Sequence, residues 1–282
     1  LEYRHTPIVV GIDIYNLEAE AYGATVARPD GDGIPAIHAP RYRDLDEALA
    51  AGPYDAARDG RIAMVIGVGQ RLASALPDAQ VRIPVAGPFS IALNLLGIGN
   101  LCEAMALRPA ETAGWLGRLA DNQAGFCAAV QAAGLDVAFF ESAAAPPMLS
   151  PRQFRELELP ALRRAVAVAA AAVGHPVPCI LGGDTLPILE ELLSTGTSYL
   201  ACNVETDQRR FVARVCATHP HVQVRVNMDP RIVAGTDRQA IYGEVDRILD
   251  LAAGRPNCLM GTGCLPLETP PENLRLIREY LS

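Results

Sequence analysis

Short apolar runs rich in β-branched residues alternate along this chain with longer stretches in which apolar positions recur every three to four residues. The short runs fall at 7–13 (PIVVGID), 81–86 (VRIPVA), 135–141 (LDVAFFE), 177–182 (VPCILG), 198–203 (SYLACN), 222–227 (VQVRVN) and 257–261 (NCLMG), and they read as strands. Helical periodicity covers about 44–51, 56–76, 90–107, 110–133, 151–173, 185–195, 207–218, 237–252 and 270–281. Strand then helix, repeated, is the pattern of βα units around a parallel sheet. An eighth strand has two candidates, a short piece near Thr25 to Ala27 and the apolar stretch around Ala63 to Val68.

Local signals punctuate the pattern. Ser150-Pro151 places a capping hydroxyl before a proline at a first helical position, and Thr269-Pro270 with Glu272 repeats the arrangement as a capping box. Gly134, Gly174 and Gly196 follow three of the helices as stop residues. The segment 24–40, with Pro29, Gly31, Gly33, Pro35 and Pro40, reads as a loop or hairpin excursion within one domain, and no internal repeat exceeds the βα period.

Length is compatible with a closed barrel: 282 residues, 50% hydrophobic, lie near the roughly 250 typical of one α/β barrel. We expect a single domain over 1–282, lacking some native N-terminal sequence because it starts at Leu1 and enters a strand almost at once. The 24 basic and 32 acidic residues give a net charge of −8 without a Lys/Arg block of the kind that neutralises phosphates, so nucleic acid is not expected as a partner. A membrane is not expected either, since no apolar run reaches the ~18 to 20 residues that span a bilayer. The seven cysteines form no CxxC pair and no secretory leader is read at the start, which leads us to expect reduced thiols and a cytoplasmic setting.

Alternation alone is equally compatible with a doubly wound sheet, but there is no GxGxxG or Walker motif to support nucleotide binding. Four ordered patterns decide between the two. VAGPFSIALNLLG at 85–97, AAAPPMLSPRQFRELELPALRR at 143–164, VNMDPRIVAGTDRQAI at 226–241 and GTGCLPLETPPENLRLIREYL at 261–281 together resemble the uroporphyrinogen decarboxylase-like superfamily. The resemblance covers roughly 200 residues and implies a single (β/α)8 TIM barrel, with its site at the C-terminal ends of the strands.

Two chemistries compete within that superfamily. The decarboxylases proper carry an N-terminal loop whose arginines clamp substrate carboxylates, and this chain has nothing like it. Its first strand, PIVVGIDIYNLEAEAYGA at 7–24, is instead similar to that of the cobalamin-dependent methyltransferases. The resemblance therefore implies transfer of a methyl group between a corrinoid and a thiol or similar small acceptor, the cobalamin being carried by a partner protein. It also implies zinc. The family holds that metal with a His-x-Cys pair and a Cys in a Gly-Cys-Gly signature. Here Cys264 matches the second, while Pro178-Cys179-Ile180-Leu181-Gly182 stands where the first is expected. We expect one Zn2+ on Cys264, Cys179 and Glu141, with a fourth position open to a thiol substrate.

Strand ends supply the remaining candidates. Glu141, Asp184 and Asn227 are expected to be catalytic, and Asp13, Tyr15, Phe89, Met228 and Asp229 to line the substrate. Asp13, Phe89, Glu141, Asp184, Asn227 and Cys264 each lie at or beyond the end of a different strand, so a barrel brings them to one face. For Asp184 the ordinary alternative is an N-cap, and for Asp229 a turn before Pro230. Two rival functions remain. A metal-free lyase on a carboxylated ring substrate requires cationic anchors, for which Arg28, Arg61 and Arg225 are the candidates; a non-catalytic binding barrel requires neither metal nor anchors.

Overall fold

A computed structural model describes residues 6–11, 13–31 and 33–282; residues 1–5, where truncation is expected, and Ile12 of the first expected strand lie outside them. In chain order the strands are β1 (Ile8–Val9), β2 (Val26–Ala27), β3 (Ala36–Ile37), β4 (Val81–Ala86), β5 (Asp136–Glu141), β6 (Cys179–Leu181), β7 (Tyr199–Cys202), β8 (Gln223–Asn227) and β9 (Cys258–Gly261). The helices of the first half are α1 (Leu17–Ala21), α2 (Leu45–Ala50), α3 (Ile62–Ala75), α4 (Pro88–Leu96), α5 (Ile98–Leu107), α6 (Pro109–Asn122) and α7 (Ala124–Ala132). Those of the second half are α8 (Pro151–Gln153), α9 (Leu159–Val173), α10 (Leu189–Leu193), α11 (Gln208–Thr218), α12 (Pro230–Val233), α13 (Arg238–Ala252) and α14 (Pro271–Tyr280).

The parallel strands stand side by side in chain order. One ladder runs β1-β4-β5-β6 and a second runs β7-β8-β9, with a parallel bridge from Pro178 to Tyr199 between them. A doubly wound sheet reverses its strand order at a switch point, and this one does not. Strand order that never reverses, with right-handed crossovers, puts every helix on the same side, which is the barrel arrangement. The closed eight-stranded ring is not seen among the described residues: seven parallel strands are present, and no ladder joins β9 to β1.

Neither expected eighth strand joins them. Val26–Ala27 pairs antiparallel with Ala36–Ile37 in a small hairpin of its own, and Ala63–Val68 lies inside α3. In α3, apolar residues at 62, 65, 66 and 69 bury one side at helical spacing, so its apolar run is a helix stripe and not a strand.

Alternation along the strands sorts the core. Val137 and Phe139 on β5, Val224 and Val226 on β8, and Leu200 and Cys202 on β7 are essentially unexposed and form the layer beneath the helices. Each such large side chain contributes roughly 1.5–3 kcal/mol by leaving water. Ser150 caps α8 as expected and in addition closes a capping box with Gln153, and Gly174 ends α9 in the left-handed conformation at φ 82°. The expected capping box at Thr269 does not form: α14 begins after Pro270, and the Thr269 hydroxyl is buried with no partner among the described residues. No single helix among the described residues is long and apolar enough to cross a membrane.

Candidate functional site

Because the strands are parallel, Asp13, Phe89, Glu141, Asp184, Asn227 and Cys264 all lie at one end of the sheet. They do not all face the same way.

Glu141 and Cys179 point into the helix layer. In the β5–β6 register Cys179 pairs with Phe139 and Leu181 with Glu141, so both site candidates share the face of the buried Phe139. The Glu141 carboxylate accepts from the Ser90 hydroxyl at 2.5 Å, from the Ser90 N–H at 3.2 Å and from the Ala143 N–H at 3.3 Å. Its other neighbour is Glu158, at the end of the π-helical turn Phe154–Glu158. Burial drives the Glu158 carboxyl well above the usual range and the charge of Glu141 drives it further, so Glu158 holds the proton in this contact. Burial also raises Glu141, less far, because Ser90 and the backbone stabilise its anion. Burial, with Glu141 and Glu158 alongside, keeps Cys179 a neutral thiol. Phe89 is buried in α4, next to Ser90.

A third buried acid adjoins them. Glu18 of α1 accepts from the Ala86 N–H and from Gln123 Nε2 at 2.8 Å, and burial pushes it up to about 8. Gly87 is required by this packing, since a Cβ there would lie 2.6 Å from the Glu141 carboxyl carbon.

The opposite face carries Asn227. Its Nδ2 donates to Asn203 Oδ1 at 3.0 Å, and Asn203 Nδ2 donates to the carbonyls of Leu181 (2.9 Å) and Gly183 (3.2 Å). Two residues earlier on the same face, Arg225 lies with its guanidinium 5.8 Å from the Tyr199 ring. Opposite Arg225 in the register, Leu259 is 41% exposed, so this face is open to solvent on its β9 side.

Above it stand the loops. Cys264 is exposed in the loop after β9, where Gly263 packs near the Asn227 amide. The Tyr15 hydroxyl meets Ser142, and burial, with the charges of Glu141 and Cys264, raises it to about 12. Asp184 accepts from Thr206 Oγ1 at 2.8 Å and from the Leu186 N–H at 3.2 Å, which makes it a loop brace. Asp13 is bound to Arg61 at 2.6 Å, and Arg61 also holds Glu20 at 2.5 Å. Met228 is fully buried, and Asp229 caps α12 and pairs with Arg231 at 2.7 Å.

Two groups emerge from the expected site. Asn227, Tyr15 and Cys264 lie toward the mouth, whereas Glu141, Cys179, Phe89 and Met228 belong to packing. The three ligands expected for zinc are not gathered: Cys179 is sealed among the helices and Cys264 is exposed in a loop. No group of three or more His, Cys, Asp or Glu side chains among the described residues is arranged to hold a metal ion.

Sequence reasoning missed Ser90, Glu158, Glu18 and Asn203. Asn203 ends the run SYLACN and obeys the strand-end rule that selected Asn227. Glu158 recurs at core spacing with Phe154, Ala161 and Leu162, a signal that an acid is being buried.

The comparisons with known proteins agree with this architecture. The sequence profile described as "Uroporphyrinogen decarboxylase (URO-D)" matches residues 3–281. The chain belongs to the uroporphyrinogen decarboxylase family. This URO-D family chain is 27% identical over 205 residues to the uroporphyrinogen decarboxylase of Maricaulis maris (strain MCS10), an alignment covering 70% of the chain and 58% of that protein. The chain thus spans less than two thirds of that relative's length. It also superposes on a solved methyltransferase from Methanosarcina mazei with a TM-score of 0.79 at 20% identity, covering 94% of this chain and 77% of the other. At that identity the second likeness establishes the URO-D family fold and nothing finer.

Proposed function

We propose that the chain is an enzyme on a (β/α)8-type scaffold that moves a methyl group between a corrinoid held by a partner protein and a small thiol. The observation that carries this reading is the exposed Cys264 thiol at the C-terminal ends of the strands, within electrostatic reach of Tyr15. The methyl group passes to the sulfur of the small thiol, which gives up its proton while the carbon–cobalt bond breaks and leaves its electron pair on the corrinoid; Cys264, exposed at this mouth, stands where that thiol would be received. Leu267 (76% exposed) and Met148 (37%), on loops at the same end, offer apolar surface to a flat macrocycle. The likeness to a methyltransferase over nearly the whole chain supports the same reading. A net charge of −8 favours small-molecule and protein partners over nucleic acid and suits a cytoplasmic setting.

Zinc does not fit the residues as they stand. A catalytic zinc takes three protein ligands and leaves one position open. Of the expected three, Cys264 alone is presented to the mouth, while the Glu141 oxygens are already engaged by Ser90 and Ala143. The chain's own contribution is then positional. Tyr15 stays protonated at neutral pH and donates to a bound group, and the Asn203–Asn227 pair fixes the floor.

A second reading is favoured by the sequence relative: a carboxy-lyase acting on a carboxylated ring. Of its proposed anchors, Arg61 is committed to Asp13 and Glu20, and Arg28 is exposed beside the small hairpin.

One experiment separates the two. Protein purified without chelator is mixed with methylcobalamin and small thiols, and thioether is followed by mass spectrometry. Acceleration lost in Cys264→Ala is expected. No acceleration, together with CO2 release from uroporphyrinogen, would replace methyl transfer by the lyase; neither product leaves non-catalytic binding.

A further inference from the structure

The open face of the sheet contains a cation with no counter-charge among the described residues. Tyr199 lies under the influence of two arginines, Arg82 and Arg225. Arg82 is paired with Asp136 at 3.1 Å. Among the described residues Arg225 has no carboxylate within ion-pair distance, and its Nε is buried with no hydrogen-bond partner. A guanidinium donor withdrawn from water and left unpaired is costly, and in native proteins such a group calls for an explanation.

The second orphan lies beside it. Asn227 Oδ1 is buried and unpartnered. Its orientation is set by the network and is not arbitrary: Asn203 Nδ2 donates to two backbone carbonyls, so Asn203 Oδ1 is the atom left to accept from Asn227 Nδ2. The Asn227 oxygen must therefore point the other way. Gly261 leaves room for both groups, because a Cβ there would stand 2.5 Å from Arg225 Cδ and 2.8 Å from Asn227 Oδ1. One unpaired cationic donor and one unpaired acceptor thus flank a single missing side chain.

We propose that this inner face is a binding subsite for a small hydroxy- or amino-carboxylate, with the carboxylate on Arg225 and the neighbouring hydroxyl or amine donating to Asn227 Oδ1. An arginine fork matches a carboxylate in two parallel hydrogen bonds. The Tyr199 ring backs the guanidinium and keeps it in place. The subsite lies below the mouth and deepens the reading above: the thiol acceptor also carries a carboxylate with a neighbouring hydroxyl or amine, which lactate reproduces without the sulfur; it rests on that reading only in giving this face to the substrate. Binding and turnover are measured separately, so either can fail alone.

The test is calorimetric titration of the whole chain with lactate, propionate, lactamide and inorganic phosphate. Lactate is expected to bind saturably, propionate more weakly for want of the donor, and lactamide not measurably. Arg225→Met should weaken lactate about ten- to a hundredfold, the range of a lost charge-assisted contact. Arg225→Lys keeps the charge, loses the fork, and should fall between; it also keeps the test valid if the Met variant does not fold. No lactate binding by the wild type, equal binding by folded Arg225→Met, or phosphate tighter than lactate would each overturn the subsite. Lactate binding without thioether formation would sink the methyl-transfer reading and leave the subsite standing.

Discussion

The carboxyl groups of Glu141 and Glu158 are fully buried neighbours, and Glu158, whose two oxygens find no hydrogen-bond partner among the described residues, is the protonated one. Two carboxylates so placed cannot both ionise. Replacing Glu158 with Gln keeps the shape and removes the proton that folding forces onto this carboxyl at pH 8, so Glu158→Gln is expected to be neutral or stabilising by about 1 kcal/mol at that pH. Glu158→Ala leaves a cavity among the packed helices and should cost about 2–4 kcal/mol. Urea denaturation of both variants at pH 8 checks this; equal losses would show that filling this buried space contributes nothing.

Glu18 makes stability pH-dependent. Its folded value, about 8, exceeds the ordinary one, so it favours the folded state fully below about pH 4.5 and loses that contribution as pH rises towards 8. Between pH 5 and pH 8 the wild type should lose on the order of 1 kcal/mol or more through this group, and Glu18→Gln should flatten the profile. Thermal melts across that range decide the point, and parallel profiles for the two proteins would refute it.

At Gly87 a methyl group would collide with the carboxyl of Glu141, which Ser90 holds in place. Gly87→Ala is expected to cost about 1–3 kcal/mol, as overpacking does. Gly67, where a Cβ would meet nothing within 4 Å, is the control and should tolerate alanine or gain from it on α3.

Thiol accessibility separates the cysteines. Cys102 and Cys264 are exposed, whereas Cys127, Cys179 and Cys202 are buried with their thiols held neutral by burial. Iodoacetamide at pH 8 should alkylate Cys102 and Cys264 in the native protein and reach the buried three only after denaturation. Mass mapping reads this directly, and early labelling of Cys179 would reopen its assignment as a ligand.

Asp184 braces its loop through Thr206. Thr206→Val should cost about 1 kcal/mol in stability and leave lactate binding at Arg225 unchanged, because the hydroxyl serves Asp184 and the Thr185 N–H and lies outside the subsite.

Much of this protein is legible from its sequence, for a physical reason: hydrophobic periodicity and strand-end position are local properties. They locate the seven parallel strands to within a few residues, place Asp13, Tyr15, Glu141, Asp184, Asn227 and Cys264 at one end, and carry the patterns that resemble the URO-D family. What periodicity does not carry is the direction of a side chain at a strand's end, which depends on register with the neighbour. Register puts Glu141 and Cys179 on the face of Phe139, under the helices, and Arg225 and Asn227 on the other. The same limit applies to long-range pairing. Arg61 meets Asp13 across 48 positions and Asn227 meets Asn203 across 24, and only the packed fold shows which of the sequence's cations and amides are consumed in such pairs and that, among the described residues, Arg225 has no such partner.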